Sequence, residues 1–277
     1  MSERLAPGLH IVATPIGNLG DLAPRAAETL RGADRILVED TRVTAKLLQH
    51  IGAKVPMIRY DDHSSDADRA RIVSQLGDCA IALVSDAGTP LISDPGYKLV
   101  RAARMAGHAV HSIPGPSAAI AALTLAGLPT DRFLFLGFLP AKAKAKADAI
   151  SEVAAVRATL VIYESGPRLA DTLSSLGEAL GARDAAVVRE ISKLHEETVT
   201  GTLLELRDHY RDAAPKGEIV IVVGPPGEAQ AASDDELDAA LGEALGRLSP
   251  SRAAAEVAER LNVPRKRAYS RALELSR

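Results

Sequence analysis

The chain has 277 residues, of which 47% are hydrophobic and 25% charged, a composition typical of a globular protein and unlike a disordered or fibrous one. Its single cysteine, Cys79, excludes an intramolecular disulfide and favours the cytoplasm, and no apolar run approaches the roughly 20 residues that a membrane helix needs. Only 3% of the residues are aromatic and the net charge is −3, so neither extensive base stacking nor a global attraction for a polyanion is expected.

Short β-branched runs alternate with Ala-rich amphipathic segments along most of the chain. The runs lie at residues 9–14, 35–40, 80–85, 108–113, 132–138, 159–164, 184–190 and 217–223. Segments with helical periodicity, such as residues 66–77, separate most of them. This alternation predicts an α/β protein with mainly parallel sheets. Because eight strands are many for one sheet, we expect two α/β domains, over residues 1–116 and 117–226.

Charge divides the rest of the chain into two parts. Residues 226–246 hold six acids and no Lys or Arg, so we expect residues 227–246 to be an acidic linker. Residues 247–277 hold eight bases against three acids, a local charge of +5 (8 − 3). Two helical segments around Pro264, the second carrying Arg267 and Arg271 one turn apart, predict a small helix-turn-helix-like module for nucleic acid. The alternative is a solvated helical hairpin that packs on a neighbouring subunit.

Gly and Pro are concentrated where three predicted strands end, at residues 15–21, 86–96 and 114–118. Ligands of open α/β sheets bind outside the carboxyl ends of the strands, so three such loops predict one cleft. Gly88 and Gly115 would let the backbone approach the ligand closely. Because the chain contains neither GxxxxGK[ST] nor GxGxxG, a cofactor without phosphate groups fits better than a nucleoside triphosphate or a dinucleotide.

Other chemistry has weaker signals. The chain has no GxSxG nucleophile elbow, and its seven histidines show no HxxxH or HExxH spacing, so we expect no metal site. Two polar clusters follow predicted strands, at residues 39–42 and 189–197. Mixed charges at strand ends can position a polar substrate and supply a base, although helix capping and surface ion pairing explain either cluster taken alone.

Seven motifs carry a family resemblance. They are ATPIGNLGD at 13–21, EDTR at 39–42, SDAGTPLISDPG at 85–96, PGPSA at 114–118, YESGPR at 163–168, REISKLHEE at 189–197 and PKGEIVIVV at 215–223. In order and spacing they resemble the ribosomal RNA small subunit methyltransferase I family, within the tetrapyrrole-methylase-like (class III) enzymes that use S-adenosylmethionine. The resemblance runs from about residue 9 to the end of the chain. Where most of the wider class has a GDP-like triplet, this chain has Gly88-Thr89-Pro90.

The resemblance implies a homodimer of two-domain subunits, with S-adenosylmethionine held in the cleft between the domains. It also implies transfer of a methyl group to the ribose 2′-hydroxyl of a cytidine in the decoding region of 16S rRNA, within the 30S subunit. The implied cofactor-binding residues are Pro15, Gly88, Thr89, Ile92, Ser93, Ser117, Ala118, Tyr163, Glu164, Lys216, Gly217, Glu218 and Ile219.

The ribose hydroxyl is a poor nucleophile, so a proton acceptor should assist its attack. Our hypothesis is that Glu39 or Asp40 accepts the proton and that Arg42 and Lys193 hold RNA phosphate or ribose. Two other functions fit the loops: methylation of a tetrapyrrole or another small molecule, and a non-catalytic module that binds the cofactor or RNA.

Overall fold

The computed structural model describes residues 5–61, 64–212, 214–227, 233–261 and 263–276. The chain forms two compact units, one up to Gly224 and one from Pro225 onward. No helix within the described ranges is both long and apolar enough to span a membrane.

The described residues of the first unit contain ten strands, and all eight predicted runs are among them. The strands are β1 (Gly8–Val12), β2 (Arg35–Val38), β3 (Met57–Arg59), β4 (Ala80–Leu83), β5 (Val110–Ile113), β6 (Phe133–Phe138), β7 (Thr159–Ser165), β8 (Asp184–Arg189), β9 (Glu197–Thr202) and β10 (Glu218–Val223). The two strands that sequence patterns missed, β3 and β9, both lie at sheet edges.

The strands form two five-stranded sheets, the first from residues 8–113 and the second from residues 133–223. The first sheet has the order β3-β2-β4-β1-β5 and is parallel throughout. The second has the order β6-β7-β10-β8-β9, in which only the β6–β7 pair is parallel. Residues 190–196 join β8 to β9 and are too few for a crossover helix, so this pair must be antiparallel. The expected parallel pairing therefore describes the first sheet, whereas the second sheet is mixed.

Helices cover both faces of each sheet. They are α1 (Pro24–Gly32), α2 (Thr41–His50), α3 (Asp66–Gln75), α4 (Tyr97–Met105), α5 (Ala118–Leu125), α6 (Ala143–Val153), α7 (Gly166–Leu180) and α8 (Leu203–Tyr210). On the first sheet, α1 and α2 pack on one face and α3 and α4 on the other. On the second sheet, α6, α7 and α8 pack on one face and α5 on the other. Central strands that are buried on both faces need continuous apolar runs such as AIAL in β4. Such runs are what makes these strands predictable from the sequence.

Over its described residues, the second unit is a bundle of three helices, α9 (Asp234–Leu245), α10 (Pro250–Arg260) and α11 (Arg265–Leu275). The prediction of an acidic linker over residues 227–246 is therefore wrong for Asp234–Leu245. A capping box starts α9, in which the Ser233 and Glu236 side chains each bond the other residue's backbone N–H. One stripe of α9, containing Leu237 and Leu241, is buried against α10 and α11. The acids of α9 occupy its other faces.

Four of the seven described bases of the second unit are paired with its acids. Arg271 bonds both carboxylate oxygens of Asp238 at 2.6 Å, and Arg267 Nη2 lies 2.8 Å from Asp234 Oδ1. Hydrogen bonding to Arg271 lowers the pKa of Asp238. The local charge of +5 counted for residues 247–277 is thus offset by the acidic helix that sequence analysis treated as a linker.

Candidate active site

A pocket opens in the first unit where loops of the first sheet meet the second sheet. Its cavity volume is about 190 Å³. Ten of the residues that the resemblance assigned to the cofactor line this pocket: Gly88, Thr89, Ile92, Ser93, Ser117, Ala118, Tyr163, Glu164, Glu218 and Ile219. Pro15, Lys216 and Gly217 are not among the lining residues. Six lining residues were not predicted: Ile16, Ala87, Asp94, Phe138, Ile191 and Val220.

The three Gly/Pro loops of the first sheet do converge. The loops after β1 and β4 are joined through Thr14 and Gly88, whose backbone N–H groups donate to each other's carbonyls at 2.8 and 3.1 Å. Gly88 has φ +75°, and a Cβ there would lie 3.2 Å from Ile16 Cγ2, so both conformation and space favour glycine. The Thr89 hydroxyl donates to the Pro116 carbonyl at 2.9 Å and ties in the third loop.

The loop after Thr89 holds two residues in the left-handed region of backbone conformation. Leu91 has φ +74° and Ser93 has φ +62°, which is uncommon for residues that carry a Cβ. Such strain costs about 1–3 kcal/mol per residue and persists where the surroundings enforce it. Here it turns Ser93 and Asp94 toward the pocket.

Asp94 brings a partly buried carboxyl group to the pocket. Burial raises its pKa, a hydrogen bond from Ser85 opposes that shift, and the nearby charge of Asp86 adds to it. Glu164, in contrast, directs its carboxylate away from the pocket, because its side chain is fully buried and accepts from the Thr172 hydroxyl at 2.6 Å. Among the described residues Asp94 is therefore the lining acid that forms no ion pair, whereas the Glu218 carboxylate is paired with Lys193.

The second polar cluster holds its own cation. Lys193 Nζ donates to Glu190 Oε1 and to Glu218 Oε2, both at 2.9 Å. Hydrogen bonds to these two carboxylates outweigh burial and raise the pKa of Lys193, and the bond from Lys193 lowers the pKa of Glu190. The stem of Lys193 lies against Gly17 of the loop after β1, where a Cβ would approach the side chain to 2.4 Å. The neighbouring Ser192 hydroxyl bonds the Asp21 carboxylate in the same loop. Residues 190–196 thus tie the second sheet to the first beside the pocket.

The first polar cluster lies next to the pocket without lining it. Asp40 caps α2, accepting from the Arg42 N–H at 2.8 Å, and its carboxylate pairs with the exposed Arg42 guanidinium at 2.6 Å. These bonds to Arg42 lower the pKa of Asp40 to about 2. The Asp40 N–H donates to Asp86 Oδ1 at 3.0 Å, and Asp86 precedes the lining residue Ala87. Glu39 is half-buried directly after β2.

Comparison with known proteins shows which family the chain matches. Residues 8–207 match the family of Tetrapyrrole (Corrin/Porphyrin) Methylases. The chain belongs to this methylase family. Residues 231–276 match the RsmI C-terminal HTH domain, which begins within the stretch predicted as a linker and covers all three helices of the second unit.

Relatives with printed functions extend along nearly the whole chain. The ribosomal RNA small subunit methyltransferase I of Erythrobacter litoralis is 55% identical over 274 residues, covering 99% of this chain and 97% of the relative. The protein of the same name from Mesorhizobium japonicum is 47% identical over 277 residues, covering 99% and 94%.

Solved structures share the fold of the first unit. Diphthine synthase has a TM-score of 0.62 at 15% identity, with 78% of this chain and 89% of that chain covered. Uroporphyrin-III-C-methyltransferase from Thermus thermophilus has a TM-score of 0.55 at 21% identity, covering 78% and 93%. At this level of identity the likeness concerns the fold alone.

As a member of this family the methylase uses S-adenosylmethionine, and the pocket fits that cofactor. The Asp94 carboxylate suits one of its two positive charges, on the sulfonium and the ammonium group, and Glu218, although paired with Lys193, adds a second carboxylate to the lining. The hydroxyls of Thr89, Ser93 and Tyr163 offer hydrogen bonds to its polar groups. Thr89 replaces the acid of the GDP-like triplet, and Asp94, five residues further along, brings a carboxylate to the pocket. The part of the chain that the structure describes contains no group of three or more His, Cys, Asp or Glu arranged to hold a metal ion.

Replacing Asp94 with asparagine should weaken cofactor binding. Asparagine keeps the shape of the side chain but removes the charge that faces a cation. Hydrogen bonds to charged groups contribute about 1.5–3 kcal/mol, so we expect about a 10- to 100-fold larger Kd by calorimetry without RNA. Asp78→Asn removes an exposed charge just before β4, at the opposite end of that strand, and should leave the Kd unchanged. Equal affinity of Asp94→Asn and wild type would show that Asp94 does not face the cofactor.

The raised pKa of Asp94 also predicts a pH dependence. As pH falls through this pKa the carboxyl becomes neutral, so cofactor affinity should fall with it. Folding stability without cofactor should change in the opposite direction: the contribution of Asp94 is fully present below its unfolded pKa of 3.8 and is lost as pH rises through the folded pKa. Both dependences should be reduced in Asp94→Asn, as measured by calorimetry and by urea unfolding over a pH series.

Proposed function

We propose that the chain methylates the ribose 2′-hydroxyl of a cytidine in the decoding region of 16S rRNA. The observation that carries this proposal is the 55% identity to a ribosomal RNA small subunit methyltransferase I over 99% of the chain, which includes the second unit as well as the methylase unit. A small-molecule methylase would need the pocket but has no evident use for the additional helical unit.

S-adenosylmethionine supplies a methyl group whose transfer to oxygen neutralises the positive charge on sulfur. The protein's task is to hold the acceptor in line with that methyl group, which can contribute roughly 7–11 kcal/mol in well-oriented systems. The rigid loops around Gly88, Ser93 and Ser117 fix one side of the pocket, and β7 and β10 fix the other with Tyr163 and Ile219. The Ala119 N–H, at the start of α5, donates to the Tyr163 hydroxyl at 3.2 Å and joins the two sides.

The polar cluster at residues 39–42 is the proposed contact to the acceptor nucleotide. With its pKa near 2, Asp40 is a weak proton acceptor. Of the two acids in the hypothesis, we therefore propose Glu39 as the general base. Arg42 is largely exposed and can hold a phosphate. Lys193 would reach RNA only by exchanging one of its two carboxylate partners, so we assign it mainly to the junction between the sheets.

Three bases of the second unit are proposed to contact RNA phosphate. Within the described residues, Arg252, Arg265 and Lys266 are exposed and make no ion pair, unlike Arg267 and Arg271. Arg265 and Lys266 begin α11, the second helix of the predicted helix-turn-helix.

A double variant, Arg265→Ala with Lys266→Ala, should bind rRNA more weakly and with a smaller salt dependence. Each phosphate contact contributes about 0.7–0.9 to the slope of log K against log salt, so losing two should lower the slope by about 1.4–1.8. Filter binding from low to high salt measures this slope. Arg247→Ala is the control, because this base is already paired with Glu256 and its loss should alter the slope less. An unchanged slope in the double variant would favour helix packing over RNA contact.

We also propose that the enzyme acts on the 30S subunit in the cytoplasm as a homodimer, as its family resemblance implies. Labelled S-adenosylmethionine with 30S subunits, naked rRNA or a tetrapyrrole as the acceptor, followed by mapping of 2′-O-methyl sites in the RNA, tests acceptor and function together. Label at one cytidine of 16S rRNA supports the proposal. Label on a tetrapyrrole, or none despite cofactor binding, supports one of the two alternative functions instead.

A further inference from the structure

The only three phenylalanines of the chain, Phe133, Phe135 and Phe138, all lie on β6. Phe135 and Phe138 are three residues apart, so in a regular strand their side chains would point to opposite faces of the sheet. A β-bulge changes this: Phe135 pairs with Val161 and Gly137 with the next residue, Ile162, so that Leu136 is the extra residue. The bulge places Phe138 beside Tyr163, on the same face as Phe135.

Ring contacts agree with this register. The rings of Phe135 and Phe138 lie 4.9 and 5.6 Å from the Tyr163 ring, both in edge-to-face geometry. Tyr163 lines the pocket, and so does Phe138. Bulges next to active sites commonly redirect a side chain, and here the redirected side chain is Phe138.

The backbone at the bulge is fitted to the pocket loop. Gly137 has φ +62°, and a Cβ there would lie 2.8 Å from the hydroxyl oxygen of Ser93. Both facts require glycine, and Ser93 itself has the strained φ of +62°. The direction of Phe138 is therefore set where Gly137, in a left-handed conformation, lies close to the strained Ser93 on the other side of the pocket.

Phe138 nevertheless remains 58% exposed. A side chain that lines a pocket and keeps more than half of its surface in solvent lies at the rim. The exposed ring of Phe138 offers a flat apolar surface with no hydroxyl or charge. An unstacked nucleobase can pack on such a surface.

We propose that Phe138 is the platform on which the base of the target nucleotide stacks while its ribose lies at the pocket. This inference rests on the proposed function, because it requires an RNA acceptor. A ribose that enters the pocket brings its base to the rim, and that base must leave its neighbours in the RNA to get there. A flat apolar ring at that point replaces the stacking that the base has lost. It does not need many aromatic residues, which agrees with their low content in the chain.

The position of Phe138 favours the base over the cofactor as its partner. The acids and hydroxyls suited to S-adenosylmethionine belong to Asp94, Glu218 and the loops around Thr89 and Ser117. The enclosed neighbour Tyr163 is bonded to the N–H of Ala119 and is more suited to line the cofactor. Phe138 has the greatest exposure of the hydrophobic residues that line the pocket.

Single-turnover methylation of 30S subunits that lack the 2′-O-methyl group tests this inference. At saturating cofactor and limiting 30S, Phe138→Leu should lower the rate about 5- to 150-fold, the range expected for one base–aromatic stack. Phe138→Trp should restore the rate to near that of wild type, because tryptophan also offers a flat ring. Phe133→Leu is the matched control: this residue is 44% exposed and lies at the other end of the same strand, and its loss should not change the rate.

Two further measurements separate stacking from a structural or cofactor role. Calorimetry without RNA should give the same cofactor Kd for Phe138→Leu and wild type. Benzoyl-phenylalanine at position 138, activated on 30S, should stop reverse transcriptase at the methylated cytidine, whereas the same group at position 133 should not. An unchanged methylation rate in Phe138→Leu, or a tenfold weaker cofactor affinity of that variant, would overturn the inference. The proposed function would still hold in either case, provided that the wild-type protein methylates 30S normally. A wild-type protein that methylates no RNA would overturn both.

Discussion

Replacing Glu39 with glutamine should slow methyl transfer by about 100- to 10,000-fold, the contribution typical of a general base. Glu39 is half-buried at the end of β2, and its neighbour Asp40 accepts bonds from Arg42 that lower the pKa of Asp40 to about 2. Glutamine keeps the size and hydrogen-bonding reach of the side chain but cannot accept the hydroxyl proton. Single-turnover methylation with saturating cofactor isolates this step, because cofactor binding is then complete in both proteins.

Asp40→Asn provides the comparison on the adjacent residue. Asparagine also caps helices well, so α2 should begin as before, and the loss of rate should stay below the about 100-fold that marks a general base. A rise in the rate of wild type with pH that is absent from Glu39→Gln would support the assignment. Near-normal rates in both variants would mean that neither acid is the base.

Gly166→Ala should destabilise the first unit by about 3 kcal/mol or more, at or above the upper end of the usual cost of overpacking. Gly166 is buried at the start of α7, and a Cβ there would lie 1.7 Å from the carbonyl oxygen of Pro215 and 2.9 Å from its carbonyl carbon. These are backbone atoms, so a rotamer change cannot relieve the clash. The segment that must move leads directly into Lys216, Gly217 and Glu218. We therefore expect cofactor affinity to fall together with stability.

Gly32→Ala is the matched control within the same unit. Gly32 ends α1, has an ordinary φ, and a Cβ there would meet only Leu5 Cβ at 3.6 Å, a normal van der Waals distance. Urea unfolding should show this variant to be as stable as wild type or slightly more stable, because alanine is the better helix former. If Gly166→Ala unfolded at the same urea concentration as wild type, the Pro215 backbone could not lie as close to Gly166 as the structure has it.

Much of the fold can be predicted from the sequence because buried strands require apolar runs. All eight strands with such runs were found, but β3 and β9 were not. β3 has three residues, and β9 reads ETVTGT, with polar side chains on an edge that is partly exposed. Helix α9 does have a sequence signal, since Ser233 and Glu236 form a capping box before Leu237, Leu241 and Ala244 at helical spacing. Its high acid content is also typical of a linker, which is why composition favours the wrong prediction here.

From the residues alone, the sequence predicts the part of the site that Gly/Pro loops form, whereas Tyr163, Glu164, Glu218 and Ile219 follow only from the family resemblance. Gly88, Thr89 and Ser117 lie in Gly/Pro loops that follow strands, and the sequence indicates where such loops meet. Asp94 and Phe138 depend on features with no local signal: the strained backbone at Leu91 and Ser93, and the bulge that adds one residue to β6. The polar clusters illustrate the converse, because their composition could not show that Asp40 is held by Arg42 or Lys193 by Glu190 and Glu218.

Asp234 and Asp238 of α9 pair with Arg267 and Arg271, so their carboxylates occupy the positions that RNA phosphates would take on these arginines. An RNA strand that reaches these arginines must displace the carboxylates that are bonded to them. Each such contact exchanges one anion for another, so it adds little to the free energy of RNA binding. The number of bases in residues 247–277 therefore overstates their attraction for nucleic acid. If the second unit contacts RNA as proposed, this competition should weaken its binding to arbitrary RNA more than its binding to a strand that other contacts already position.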